Sequence, residues 1–459
     1  MLHLGLGSFH RAHQAVYLHE LMQSGDLAWV LAGGNIRPDM PETIAALQAQ
    51  GGAYTLETVT PAQERTYTRI ESIRTIIAHD AALTGLIALG AQASTRIISF
   101  TVTEAGYYLD PRDTLDLSFD DLRADLAAAK NGRPGSTIYA ALCAILRQRM
   151  LNKAGPVTLL CCDNLRHNGD RSRSGLLQFV ELTGEHDLLA WVQANTSSPN
   201  AMVDRITPRP TPDVAERVKA ATGRDDPAAV MGESFIQWVI EDNFANGRPA
   251  WEKVGVEMVT SVAAYEEAKI RLLNATHSCI AWAGTLAGYH YIDEGAKDAE
   301  IRQFAFDYVT DDAIPLLLPC PLDLEKYRDV VLDRFSNPAL KDTNQRVAMD
   351  AFSKIPGMIA PTVRERLKRG ESVDSVAMLP ALFLAYLLRW HKGQIPYAYA
   401  DQAMNPGLAH AMCEAPDPVA AFCADLPLWG DLAGDRRLVD AMRRAFARVK
   451  HFEKERATK

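Results

Sequence analysis

No hydrophobic run in this chain is long enough to cross a bilayer. The longest, "AMLPALFLAYLL" from Ala377 to Leu388, falls short of the roughly 20 residues a membrane helix needs and contains Pro380. It predicts a buried helix instead. The chain also lacks any Lys/Arg-rich block, and its formal net charge of −9 disfavours a polyanionic partner, so no nucleic acid is expected. The 7 cysteines are scattered, apart from the adjacent Cys161 and Cys162, in a spacing that builds no disulfide framework and suits a reducing compartment. Cys-x-x-Cys and His-Glu-x-x-His are both absent, so no metal is expected. Strand-like residues begin at Leu2, so no leader peptide is expected. The expectation is a soluble, cytoplasmic protein without membrane contact.

What is present is ample core material: 47% apolar residues over 459 positions, enough for more than one domain. "LHLGL" (Leu2 to Leu6), "WVLAG" (Trp29 to Gly33), "RIISFTVTEAGYY" (Arg96 to Tyr108) and "PVTLLCCDN" (Pro156 to Asn164) read as buried strands. Helical spacing lies between them, in "DLRADLAAAK" and "TIYAALCAILRQRM". Strands alternating with helices predict a parallel sheet covered on both faces. From about residue 262 the pattern becomes helical almost throughout, beginning with "YEEAKIRLLNATHSCIAWAGTLAG". The expected organisation is an α/β Rossmann-type N-terminal domain with a parallel sheet over residues 1–260, followed by a mostly α-helical C-terminal domain over residues 261–459.

A strand, then Gly5-Leu6-Gly7, then the helical "FHRAHQAVYLHELMQS" is the context of a dinucleotide-binding turn. The first glycine makes the tight turn, and the second lets backbone approach a pyrophosphate. The third glycine of the fingerprint, which permits close helix–strand packing, is replaced by His10. On spacing alone, a ligand-free connection between strand and helix fits equally well.

"GLGSFHRAHQA" resembles the N-terminal signature of the polyol-specific long-chain dehydrogenases, the mannitol dehydrogenase family. "TVTEAGYYL", "CCDNLRHNG", "NAMVDRITPRP", "WVIEDNFANGRPAWEKVGVEMV", "YEEAKIRLLNATHS", "DRFSNPALKDTNQRVAMDAFSKIP" and "WHKGQIPYAY" resemble family segments in the same order. The resemblance makes His10 the family's own variant and implies NAD as cofactor. The expected cofactor-binding residues are Gly5, Gly7, Ser8, Phe9 and His10, with Glu104 lining the nicotinamide pocket. Past the second strand, "NIRPDM" offers Arg37 and Asp39 at the adenosine end. A carboxylate near the ribose 2′ position repels a 2′-phosphate, which favours NAD over NADP. A solvated surface loop is the other meaning of the same residues.

Taking a hydride from a secondary alcohol requires a base for the hydroxyl proton and donors for the developing alkoxide. At 100° per residue, Glu266, Lys269, Asn274 and His277 fall within an arc of roughly 140° on one helix. An ordinary amphipathic helix gathers such a set by chance as well. Tyr265-x-x-x-Lys269 also matches the short-chain dehydrogenase motif, but it opens the helical region instead of lying inside a single Rossmann domain, so we reject that match.

By resemblance to the family, Lys269 is the general base and Glu266 its proton relay to solvent. Asn164 and Asn274 are the alkoxide donors, and His277 holds a substrate hydroxyl. Asp204, Arg346 and Lys354 match positions around the substrate chain, where structural ion pairs are the alternative. The implied partner is a small polyol or ketose. Several segments, among them "LETVTP", "THSCIAWAGTL" and "DTNQRVA", most resemble the bacterial branch that oxidises D-arabinitol to D-xylulose. The branch converting D-mannitol to D-fructose is the second reading, and a hexuronate reductase the third. A nucleotide-binding sugar sensor is the non-enzymatic reading.

Overall fold

The computed structural model describes residues 1–110 and 112–457, except for the side chains of residues 104 and 457. It divides into two compact units, Met1–Thr60 with Glu64–Ala263, and Pro61–Gln63 with Ala264–Lys459.

The strands of the first unit are β1 (Leu2–Leu4), β2 (Leu31–Gly34), β3 (Tyr54–Val59), β4 (Arg65–Ile70), β5 (Ile73–Ile77), β6 (Ile97–Phe100), β7 (Val157–Cys161), β8 (Thr196–Ser197), β9 (Ala201–Asp204), β10 (Val230–Glu233), β11 (Gln237–Glu241) and β12 (Glu257–Val259). Six of them form a sheet in the order β5-β2-β1-β6-β7-β8, parallel at every pairing. Counting only the sheet's own members, that order is 3-2-1-4-5-6, the order of a dinucleotide fold, with the switch point between β1 and β6. The β3–β4 hairpin is inserted between the second and third members and pairs with β10.

Both faces of the four central strands are buried, which is why β1, β2, β6 and β7 read as continuous apolar runs. Ile98, Phe100, Leu159 and Cys161 pack into one core, and their sequence neighbours Ile97, Leu160 and Cys162 into the other. The helices that cover these faces and position the site are α1 (Ser8–Ala12), α2 (Gln14–Gln23), α3 (Pro41–Ala49), α4 (Asp120–Ala129), α5 (Ile138–Leu151) and α6 (Asn168–Thr183). Thr137 caps α5 through its side chain, which accepts from Ala140 N.

Two expectations need correction. The strand expected over residues 96–108 ends at Phe100, because the backbone N–H groups of Val102 and Thr103 turn away to donate to the Asp163 carboxylate at 2.8 and 3.0 Å. The helix expected after the glycine turn is broken at His13, whose φ of −129° and ψ of −86° lie outside the helical region. Its Nε2 meets the Gln237 carbonyl at 2.8 Å.

The second unit is built from helices. α7 (Ala263–Ala268) runs through a π-helical turn, Lys269–Asn274, into α8 (Ala275–Leu286). α9 (Leu324–Phe335), α10 (Asn344–Ala348), α11 (Ala351–Lys354), α12 (Ala360–Lys368), α13 (Met378–His391) and α14 (Arg436–Ala457) follow. α13 is the buried helix expected from "AMLPALFLAYLL", and it is enclosed by α8 and α14. Pro380 sits in its first turn, where the missing N–H has no intrahelical partner to lose. Among the described residues, no helix is long and apolar enough to cross a membrane, and no group of three His, Cys, Asp or Glu side chains could hold a metal ion.

Candidate active site

The glycine turn sits at the carboxyl end of β1, beside the switch point. Gly5 has a φ of +106°, and a Cβ there would come within 2.3 Å of the Thr101 carbonyl oxygen, so only glycine fits. At Gly7 an added Cβ would meet nothing within 4 Å. The volume beside Gly7 is therefore open, as a pyrophosphate approaching this backbone requires. Ser8 is half-buried at the start of α1, and Phe9 stacks on His13 with ring centroids 5.0 Å apart. A dinucleotide fits this turn.

His10 needs correction as a cofactor contact. It is fully buried and stacked on His3, so it occupies the helix–strand packing position that the fingerprint's third glycine leaves empty. Burial, and then the neighbouring His3, hold its pKa well below the ordinary imidazole value. His3 is held in turn by Ser99 Oγ at 2.8 Å and the Gly5 carbonyl at 3.0 Å.

Sequence reasoning missed Asn35, which is buried directly after β2. Its Oδ1 accepts from Leu6 N at 2.8 Å and its Nδ2 donates to the Asp39 carbonyl at 3.1 Å. One amide thus ties the glycine turn to the loop expected at the adenosine end. Asp39 is exposed on that loop. Arg37, also exposed, is engaged: its Nε donates to the Ser136 carbonyl, and its Nη2 lies 2.7 Å from Tyr108 Oη and 3.3 Å from Asp121 Oδ2. The side chain of Glu104 lies outside the described residues.

Asn164 is exposed just beyond the carboxyl end of β7, where ligands gather in such sheets. The backbone around it is fixed by two buried neighbours. Asp163 accepts from Val102 N, Thr103 N and Tyr107 Oη. Asn168 donates to the carbonyls of Cys161, Asp163 and Ala201, and accepts from Ala201 N. Asp204 is buried at the end of β9, opposite Gln237.

In the second unit the π-turn changes the geometry of the helix face. Five residues along an α-helix rotate a side chain by about 140° from its starting direction. A π-turn bonds residue i to i+5, so Lys269 and Asn274 stand one above the other across a single turn. The arc derived for a regular helix is too wide. Lys269 is 7% exposed, Glu266 and Tyr265 are buried beside it, and Asn274 is partly exposed. The turn is pinned by Arg271, whose guanidinium reaches Glu365 on α12 at 2.6 and 3.2 Å and Glu267 at 3.2 Å.

One turn further on, His277 lies against Phe335 of α9, ring centroids 4.4 Å apart and planes at 21°. Its Nε2 stands 3.1 Å from Asp342 Oδ2. Arg346 grips the same carboxylate with Nε and Nη2 at 2.7 and 2.6 Å. Burial by itself would raise the pKa of Asp342, but the donors from His277 and Arg346 override it and hold the carboxyl well below the usual range. Burial pushes His277 down, against the pull of Asp342. Lys354 Nζ donates to the Val347 carbonyl at 2.6 Å. Asp342 was not among the expected residues; its spacing of four from Arg346 was the available signal.

The fold agrees with the comparisons. The mannitol dehydrogenase Rossmann domain matches residues 1–253, and the mannitol dehydrogenase C-terminal domain matches residues 261–450. The chain belongs to the mannitol dehydrogenase family. It is 60% identical to the D-arabinitol 4-dehydrogenase of Ralstonia nicotianae, over 98% of this chain and 96% of that protein. It is 54% identical to the D-arabinitol 4-dehydrogenase of Klebsiella pneumoniae, over 98% and 97%. Among solved structures, the mannitol 2-dehydrogenase of Pseudomonas fluorescens, in a ternary complex with NAD and D-mannitol, superimposes with a TM-score of 0.82 at 32% identity, covering 100% of this chain and 94% of that one.

Proposed function

We propose that this protein is an NAD-dependent polyol dehydrogenase that oxidises D-arabinitol at a secondary carbon to give D-xylulose, reversibly and without a metal. The observation that carries the reading is the π-turn, whose backbone spacing puts Lys269 and Asn274 on one face of the helix, in a chain of this family. The preference for D-arabinitol is supported by identities of 60% and 54% to two D-arabinitol 4-dehydrogenases, against 34% to a mannitol 2-dehydrogenase of Pyrenophora tritici-repentis.

The bound nicotinamide supplies the acceptor for two electrons and the substrate's C–H hydrogen. Gly5, Gly7 and Ser8 hold the dinucleotide's pyrophosphate, and Asp39 faces its ribose. Lys269, in its neutral form, takes the hydroxyl proton. Asn274 and Asn164 donate to the oxygen as negative charge develops there, which lowers the barrier because that charge is larger in the transition state than in the alcohol. Glu266 passes the proton from Lys269 to solvent. His277, Asp204 and Lys354 hold the remaining hydroxyls, and each hydroxyl a wrong polyol lacks leaves one of these groups unpaired.

The test is a panel of five- and six-carbon polyols with NAD, followed by the absorbance of the reduced nicotinamide. The expected result is a specificity constant for D-arabinitol above that for D-mannitol. The reverse order would assign the protein to mannitol oxidation, and no turnover with any polyol would overturn the enzymatic reading.

A further inference from the structure

Arg271 stands inside the π-turn, between Lys269 and Asn274, and its guanidinium is fixed from two directions. Its Nη2 and Nη1 donate to Glu365 Oε1 and Oε2 of α12 at 2.6 and 3.2 Å, and its Nε donates to Glu267 Oε2 at 3.2 Å. Glu267 lies on α7, so the second contact spans the junction where the α-helix widens. The Arg271 side chain is 7% exposed, against 32% for Glu267 and 41% for Glu365. Burial disfavours the cation, but the Glu365 carboxylate more than offsets this and raises its pKa.

A π-turn is a stretch of α-helix that carries one extra residue in a single turn. Backbone bonding alone does not fix where along a helix that residue sits. If the widening moved out of Lys269–Asn274, the two residues would return to the roughly 140° separation of a regular helix. A base and an alkoxide donor would then no longer meet one oxygen from one face. A side-chain anchor inside the turn prevents such a shift, and Arg271 supplies one, tied both to the helix before it and to a separate helix. Two residues past Lys269, it lies most of the way round the turn from the Lys269–Asn274 face. Its partner helix α12 begins directly after a second π-turn, Ile355–Ile359, which itself follows Lys354. The fork therefore joins the Lys269 turn to the helix that leads away from Lys354.

We propose that Arg271 is a positioning residue which, gripped by Glu365 and Glu267, holds the π-turn in register so that Lys269 and Asn274 share one face. The inference rests on the reading of Lys269 as the general base. Arg271 acts from behind the reacting face and not on the polyol. An Arg–carboxylate fork suits this task because two parallel bonds fix direction as well as distance, which a lysine's single point charge would not do. An ion pair that served stability alone would leave the rate of each folded molecule unchanged.

The experiment uses the full-length enzyme with Arg271→Met, Arg271→Lys, Glu365→Gln and Lys269→Ala, and with Arg271→Met combined with Lys269→Ala. Bound NADH counts the folded sites. Hydride transfer per site is then read in a single turnover of D-arabinitol, with enzyme and NAD in excess. Arg271→Met should lower that rate by about tenfold or more, and Glu365→Gln by about threefold or more, with the NADH dissociation constant and stoichiometry unchanged. Arg271→Lys, which keeps the charge without the fork, should stay at least about threefold below the wild type. In the Lys269→Ala background Arg271→Met should add less than about threefold, because the base it positions is gone. Glu365 is partly exposed, so its variant keeps the test open if Arg271→Met folds poorly. A wild-type rate per site in any of the Arg271 and Glu365 variants, or full additivity with Lys269→Ala, would overturn the proposal and leave the reading of the site intact. Turnover retained in Lys269→Ala would overturn that reading itself.

Discussion

The imidazole of His10 lies flat on that of His3, with ring centroids 3.4 Å apart and planes within 11° of each other. One ring comes from the first turn after the glycines and the other from the middle of β1. Two flat rings at van der Waals distance let helix and strand pack where the dinucleotide fingerprint uses a bare glycine. The stack requires both rings to be uncharged, since burial has no solvent to offer a cation.

Acid should therefore loosen the first unit. Burial lowers the His3 pKa to about 3 and that of His10 well below its ordinary value. Unfolded, both rings take up protons near pH 6.5. Their contribution to stability is complete above that pH and is lost as the pH falls towards the folded-state values. Each ring contributes a slope of up to about 1.4 kcal/mol per pH unit in that window. The melting temperature should fall between pH 7 and pH 5, and His10→Gln, which does not titrate, should flatten that fall. An unaltered slope in the variant would show that His10 is not buried in its neutral form.

Asn164→Ala and Asn274→Ala should each lower turnover by about two to three orders of magnitude, the size seen when one oxyanion donor is removed. Asn164 is exposed and Asn274 partly so, which means neither change opens a core cavity. Melting temperatures should accordingly stay close to the wild type. A loss of turnover matched by a comparable loss of stability would point to a structural role instead.

Cofactor choice should respond to Asp39 and Asp121 together. Asp39→Asn removes a charge that repels a 2′-phosphate, but Arg37 stays engaged by Tyr108 and Asp121. The Arg37–Asp121 pair is exposed and worth about 1 kcal/mol at most, so releasing it costs little. The dissociation constant for NADPH relative to NADH should improve in Asp39→Asn. It should improve by up to about a further fivefold in Asp39→Asn with Asp121→Ala, as Arg37, still bonded to Tyr108 and the Ser136 carbonyl, loses the carboxylate that competes with the phosphate. Equal ratios in all three proteins would mean this loop does not read the ribose.

Much of the first unit was legible because burial on both faces forces uninterrupted apolar strands, and four of the six sheet strands showed in that way. β5 and β8 escaped because one carries exposed residues and the other spans only two. The glycine turn was legible from two residues and their context. The π-turn was not: a one-residue widening shifts the helical phase without altering composition, and apolar periodicity over so short a stretch cannot register it. Partners distant in sequence were equally hidden. Nothing near Arg37 announces Asp121, which arrives on α4, and nothing near His277 announces Asp342, 65 positions on. His10 was seen as a departure from the fingerprint, but its stacking partner His3, although only seven residues away, became apparent only in the fold.

The most direct test of the proposed chemistry is the turnover of Lys269→Ala with D-arabinitol, measured beside its NADH dissociation constant. Removing a general base lowers the chemical step and spares cofactor contacts. The account predicts a fall in turnover of about two orders of magnitude or more with NADH affinity unchanged, and Tyr265→Phe close to the wild type. Turnover retained in Lys269→Ala, or an equal loss in Tyr265→Phe, would contradict it.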